Sequence, residues 1–191
     1  MKWMRTCLAC LAAAAIAGAG AGPARPQTAP AASAAARDGR HDFDFHFGIW
    51  TTHIARRAHP LSGSDAMVRL TGTVAVRKVW DGAAQLEEIE ADGPAGHWEG
   101  MSLFLYNPAS RQWSQSFIGA ASGTLGAPLV GSFANGEGRL YAQDVFKDRA
   151  ILVRGTWSGI SADACRYEEA YSTDGGRTWE TEFSASLIRG S

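Results

Sequence analysis

The fold this sequence predicts is all-β: an antiparallel up-and-down β-barrel of eight to ten strands. Three observations lead there. Trp50, Trp80, Trp98, Trp113, Trp157 and Trp179 are spread singly along the chain, each in its own short alternating run and each expected to give a large ring to one shared interior. Turn residues separate these runs at roughly 8–12 residue spacing, the pattern of a sandwich or a barrel. The connections are short and local, whereas a Greek-key sandwich needs long crossings. Closure of such a meander also removes the exposed edges that an open sheet would leave.

Taken in order, the chain starts with a leader. Lys2 and Arg5 give a positive start, residues 7–21 form an apolar, alanine-rich stretch, and Ala19-Gly20-Ala21 is a small-x-small cleavage pattern. These features predict a secretory signal peptide over 1–21. Cys10 would allow a lipoprotein reading, but Cys7 stands where a lipobox usually has leucine. Residues 22–40 are rich in Ala, Pro, Arg and Ser without apolar periodicity, and read as a disordered linker. Residues 41–191 then form one domain, large enough for a core without staples. Cys165 is the lone cysteine left after the leader, so no intrachain disulfide is expected despite export. The expected location is periplasmic or secreted.

The strands follow. Residues 48–58 open the sheet. Residues 65–80 carry Val68, Leu70, Val74 and Val76 on one parity and end at the Asp81-Gly82 turn. Residues 86–91 come next, broken by Asp92-Gly93-Pro94, then 98–106, ended by the hairpin loop Asn107-Pro108-Ala109-Ser110. Residues 111–119 place Trp113, Gln115 and Phe117 on one parity. Residues 125–133 lead to Asn135-Gly136, a strong hairpin signal because a type I′ turn needs positive φ at both central residues. Residues 139–146, 150–157, 164–172 and 178–188 complete the series.

Two stretches say more than the alternation does. The first is Asp42-Phe43-Asp44-Phe45-His46-Phe47-Gly48-Ile49-Trp50. It reads as a plug: the Phe rings cover one barrel end, Gly48 permits close backbone approach and Trp50 packs across the base. Lipocalin-like barrels start this way, with a late arginine lying over the tryptophan, for which Arg189 and Arg154 are the candidates. The second is Ser172-Thr173-Asp174-Gly175-Gly176-Arg177-Thr178-Trp179, which matches the Asp-box pattern of sialidase propellers. In that pattern the Asp caps turn amides, glycine supplies positive φ and the Trp packs beneath. Gly176 and Trp179 are the matching residues here. The box is structural, and this chain has one copy with no blade-length repeat, so it argues for a turn and not for glycosidase chemistry.

In combination the chain resembles a group of bacterial exported proteins of lipocalin-like, calycin-type fold and unknown function, the domain of unknown function 1579 type and its relatives. The marks are Asp42-Phe43-Asp44-Phe45 with Gly48 and Trp50, Leu86-Glu87-Glu88, Gly100-Met101-Ser102, Tyr106-Asn107-Pro108, Trp113-Ser114-Gln115, the Asp174 turn with Trp179, and Arg189. The resemblance covers most of 42–189 and implies a barrel without a known activity. Relatives often have Trp-x-Gln-x-Trp where this chain ends in Phe117, a change that would reshape a nearby cavity.

Candidate ligand contacts come from parity. If Trp113 and Phe117 point inward, so does Gln115, and a buried amide needs partners. Trp98 and Tyr106 lie on an adjacent alternating strand. Glu88 shares parity with Leu86 and Glu90, Glu168 shares it with Arg166, and Glu169 shares it with Tyr167 and Tyr171. Arg154 alternates out of step with Val153, Gly155 and Trp157. An inward carboxylate opposite an inward arginine would bind a polar ligand or close a structural ion pair. No catalytic residue is assigned; an enzyme using the cavity would take Glu88, Glu168 or Glu169 as base.

The function expected is binding of a small, partly apolar or amphipathic molecule inside the barrel. The alternatives are a barrel enzyme (isomerase, cyclase or hydrolase) and a filled barrel with a structural or interaction role in the envelope. Net charge is −1 with no basic block, which gives nucleic acid no footprint. No run beyond the leader is long and apolar enough to span a membrane as a helix. The five histidines do not form a metal-binding pattern, and none follows His97, where haem barrels of the nitrobindin kind would need one; no metal or cofactor is expected. No Gly-x-Ser-x-Gly is present. Oligomeric state is left open.

Overall fold

Ten antiparallel strands close into one barrel in a computed structural model that describes residues 37–190. The strands are β1 (Gly48–Arg57), β2 (Met67–Val79), β3 (Ala84–Gly93), β4 (Gly96–Asn107), β5 (Gln112–Gly119), β6 (Leu129–Ala134), β7 (Glu137–Phe146), β8 (Arg149–Ser158), β9 (Ala164–Ser172) and β10 (Glu180–Arg189). Each pairs with its sequence neighbours, and β1 pairs with β10 from Trp50↔Arg189 to Arg56↔Phe183, which closes the meander. The signal peptide expected over 1–21 and most of the linker expected over 22–40 lie outside the described residues.

Alternation decides which side chains point in. On β1, Trp50, Thr52 and Ile54 are buried while Ile49, Thr51 and His53 face solvent. A slip of one residue would exchange the two sets, so burial of one face fixes the register. The turns carry the backbone their residues favour: Asn135 and Gly136 have φ of 53° and 80°, as a type I′ hairpin requires. Lys147 and Asp148 make a second two-residue turn with positive φ. β6 begins at Leu129 rather than at 125. Pro128 has no amide hydrogen to give a ladder, so the segment before it stays irregular apart from the Ile118↔Leu125 bridge.

Residues 43–47 plug one end. A 3-10 turn, Asp44–His46, drops Phe43 and His46 into the interior, both fully buried. The Phe43 ring meets Phe104, Trp113 and Phe133 at 4.9, 5.1 and 4.8 Å between centroids, mostly edge-on. Arg189 lies over Trp50 at 3.9 Å and donates to the carbonyls of Phe47, Phe45 and Ala162 at 2.7, 2.9 and 2.8 Å. Of the two arginines considered for this role, Arg189 fills it. Gly48 adopts φ of 115°, and a Cβ there would come within 2.7 Å of an Arg189 nitrogen, so the position is closed to other residues on two counts.

Three expectations need correction. Residues 37–40, read as the end of the disordered linker, are held against the barrel: Tyr106 donates to Asp38 Oδ1 at 2.6 Å and Trp113 Nε1 to the Gly39 carbonyl at 2.8 Å. Trp80 does not enter the interior; it sits in the β2–β3 turn with φ of 50° and is 72 % exposed. Trp179 is half-buried on the outer wall, where its ring covers Arg154 at 4.3 Å, because it lies in the turn before β10 begins.

The Asp174 turn is capped by its own side chain. Oδ1 accepts from the Arg177 and Thr178 amides at 3.0 and 2.9 Å, and Oδ2 accepts from the Thr178 hydroxyl at 2.6 Å. Gly175 and Gly176 both have positive φ. These donors, the Thr178 hydroxyl first, hold the carboxyl well below its usual range.

Replacing Arg189 with Ala should cost about 2–4 kcal/mol, measured by urea unfolding, because it removes a cation–π contact and charge-assisted bonds to plug carbonyls. Arg189→Lys should recover only part, since an ammonium cannot reproduce the planar fork. Asp174→Ala should lower the melting temperature. Since the native-state value is depressed, the stability that Asp174 contributes is present above about pH 4 and lost as pH falls further. The wild-type and variant melting curves should therefore converge in acid.

Candidate functional site

The aromatic plug fills only one half of the barrel. Beyond it lies a cavity of about 290 Å³. Its floor is Trp157, Gln115, Ser102, Thr52 and Glu87, and its walls include Ile54, Ile89, Ala185 and Tyr167. Its rim carries Arg56, Trp98, Phe117, Tyr171, Glu182 and Phe183. Strand order explains the tiers. On β4, Phe104 meets the plug, Ser102 reaches the floor and Trp98 the rim; on β5, Trp113, Gln115 and Phe117 repeat that sequence. Phe117 is 40 % exposed, which marks the open end. Trp98 and Phe117 stack at 5.9 Å and 13°. Gly100 makes this possible, because a Cβ there would lie 2.7 Å from the Phe117 ring.

The floor is polar beneath an apolar wall. Gln115 Oε1 accepts from Trp157 Nε1 at 3.1 Å. His46 Nε2 lies 3.4 Å from Glu87 Oε1, but among the described residues neither His46 nitrogen has an aligned hydrogen bond. The Thr52 hydroxyl and Gln85 Oε1 are likewise buried without a partner among the described residues. Leaving buried polar atoms unpaired costs roughly 1–3 kcal/mol each, so they mark a place where structure is maintained at the expense of stability.

The rim holds two carboxylates. Tyr167 donates to Glu169 Oε2 at 3.1 Å; burial raises Glu169, and the bonds from Tyr167 and Tyr171 partly offset it. Glu182 sits where the β10–β9 register skips between Thr181 and Phe183. A bulge turns an otherwise outward position toward the interior, and Glu182 lines the cavity beside Phe183. Burial, then the Glu169 charge, push its carboxyl up to about 7, against the lowering effect of Arg56 and Arg57. Cys165 is buried, and burial with Glu87 nearby pushes its thiol up to about 12, which makes it a packing residue rather than a nucleophile.

Parity reasoning located part of this. Of the residues read as candidate ligand contacts, Trp98, Gln115 and Phe117 line the cavity, and of the three glutamates considered as bases, Glu169 does. Tyr106 and Trp113 are buried at the plugged end instead, spent on Asp38 and Gly39. Glu88 faces solvent beside Arg77 at 3.9 Å, and Glu168 pairs with Arg166 at 2.8 Å on the outer wall. Arg154 is outside under Trp179. The error on β3 came from anchoring parity on Leu86, which is only half-buried and outward; the inward set is Gln85, Glu87, Ile89 and Ala91. Pairing with β2 carries the missing signal, since Val76 and Glu87 are cross-strand partners and share a face. Among the described residues, no three His, Cys, Asp or Glu side chains converge as a metal site. Nor is any helix among them long and apolar enough to cross a membrane.

Glu182 predicts a pH dependence. Its native value lies above that of the unfolded chain, so the folded state binds more protons between about pH 4.5 and 7. Stability should fall as pH rises through that window. In Glu182→Gln the fall should be shallower, as read from urea midpoints taken at pH 4.5 to 8.

No family model matches this chain, and no curated protein does. Among solved structures the chain is similar to an S-type phycobiliprotein lyase from Guillardia theta, with a TM-score of 0.54, 13 % identity, and coverage of 81 % of this chain and 96 % of that one. At that identity the likeness describes the fold: the chain is a closed, lipocalin-like antiparallel barrel.

Proposed function

We propose that this is an exported protein, periplasmic or secreted, that binds a small, partly apolar molecule in the hollow half of its barrel. The single observation that carries the reading is the 290 Å³ cavity, lined by rings and aliphatic groups with a few converging polar atoms. That composition, and a volume near the lower end of the usual few-hundred Å³ range, are those of small-molecule sites. Rings that could have filled the space are used elsewhere: Trp80 and Trp179 stay outside, and Trp50, Trp113 and Phe43 crowd the plug. The leader over 1–21 supports export. The motif set from Asp42 to Arg189 supports kinship with the exported lipocalin-like proteins of the domain of unknown function 1579 type. The phycobiliprotein lyase contributes a fold to this reading and no ligand.

The test is titration with N-phenyl-1-naphthylamine, a neutral dye that brightens in apolar surroundings. The wild-type protein should bind it saturably at one site. Ala185 is buried and lines the cavity, so Ala185→Phe fills the space. That variant, with an unchanged circular dichroism spectrum, should bind the dye about tenfold or more weakly. Equal binding by both proteins, or none by the wild type, would sink the reading.

A further inference from the structure

The cavity is unbalanced in charge. Among the described residues that line it are three carboxylates, Glu87, Glu169 and Glu182, and one cation, Arg56. Glu87 has His46 beneath it at 3.4 Å. Glu169 is bonded by tyrosine hydroxyls, which donate without bringing positive charge. Among the described residues Glu182 Oε2 has no hydrogen-bond partner, and the nearby Arg56 and Arg57 do not cancel the effect of burial and of Glu169. An acidic lining alone would not define a site, but deeper in the same cavity Thr52 is fully buried with its hydroxyl unpartnered. Gln115, 5 % exposed, lines the same cavity and uses its amide oxygen on Trp157. The unpartnered Thr52 hydroxyl at the floor and the two carboxylates at the rim lie at opposite ends of an apolar shaft.

We propose that the cavity's ligand is an organic cation: a protonated amine on an aromatic or other apolar body, its ammonium held at the rim between Glu169 and Glu182. This rests on the ligand-binding reading above and adds the charge. The chemistry is complementary at each level. An ammonium donates several hydrogen bonds, and the two carboxylates accept them at short range and in reduced dielectric. Trp98, Phe117 and Phe183 surround the rim, and the faces of aromatic rings attract cations. The apolar body then lies against Ile54, Ile89 and Ala185, with Thr52 and Gln115 positioned to meet a polar group at its far end. An anionic ligand would meet repulsion from both rim carboxylates. The raised values of Glu169 and Glu182 agree, since burial disfavours the charged form of both carboxyls and, at Glu182, the nearby arginines do not offset it.

The experiment is displacement of bound N-phenyl-1-naphthylamine at pH 8 by tryptamine, tryptophol and indole-3-propionate. These share an indole body and differ in the charge of the tail. Tryptamine should bind about tenfold more tightly than tryptophol, and indole-3-propionate most weakly. The Glu169→Gln/Glu182→Gln double variant should lose the preference for the amine, read as the ratio of tryptamine to tryptophol affinity within that variant. Should the double variant unfold, Glu182→Gln alone, at a half-buried position, should narrow the preference. Tryptophol binding as well as tryptamine, or a preference that survives these substitutions, would overturn the proposal. A protein that binds the dye but ignores tail charge keeps its cavity function and loses the cation. One that binds neither dye nor indoles loses both.

Discussion

The structure depends on satisfying the backbone of the segment that enters the barrel. Residues 39–47 carry carbonyls into the plugged end of the barrel, and buried backbone groups must be paired where they lie. The barrel strands do this with long side chains. Trp113 serves Gly39, Gln85 serves Phe43, Trp50 serves His46, and Arg189 serves Phe45 and Phe47. Arg189 also lies on Trp50, so β10, β1 and the plug meet in one contact at the seam where the barrel closes. Closure and plugging are therefore one event: the partner strand of β1 brings the arginine that holds the plug.

That arrangement has a cost in filling. A barrel widens with strand number, and ten strands enclose more space than one layer of plug rings can occupy. Phe43 lies at the centre of the plug with Trp113 and Trp157 around it, and Trp98, Phe117 and Phe183 lie at the rim. Between these two tiers of rings the interior is left with Thr52, Ser102 and Ala185, small residues at inward positions, and with carboxylates. A core selected for stability alone would place larger apolar groups there, and would not keep Glu182 in a bulge that turns it inward. Stability concentrated in the plug permits a loosely filled, polar opposite end.

How much of the site was legible follows from how each residue's direction is set. Trp98, Gln115 and Phe117 could be read because each lies in a clean alternation with large rings to fix the inward face. Glu87 could not, because β3 presents Leu86 and Ile89 on opposite faces, and the choice between them needs the register to β2. Glu182 was invisible for a different reason: alternation assigns it outward, and only the bulge reverses it. Arg154, considered for the contact over Trp50, lies instead against Trp179 on the outer wall, since the turn before β10 places that ring outside.

The sequence by itself determined the all-β class, the turns, the order of the strands and the plug with its Gly48 and Trp50. These rest on local causes: alternation with a period of two, positive φ at Asn135-Gly136 and Gly175-Gly176, and a dense run of phenylalanines. Only the tertiary structure decided the register in which β10 meets β1, that Arg189 rather than Arg154 covers Trp50, and that the interior is partly hollow. Each of these depends on distances between residues far apart in the chain. Closure, register and a bulge set such distances, and no local pattern encodes any of the three.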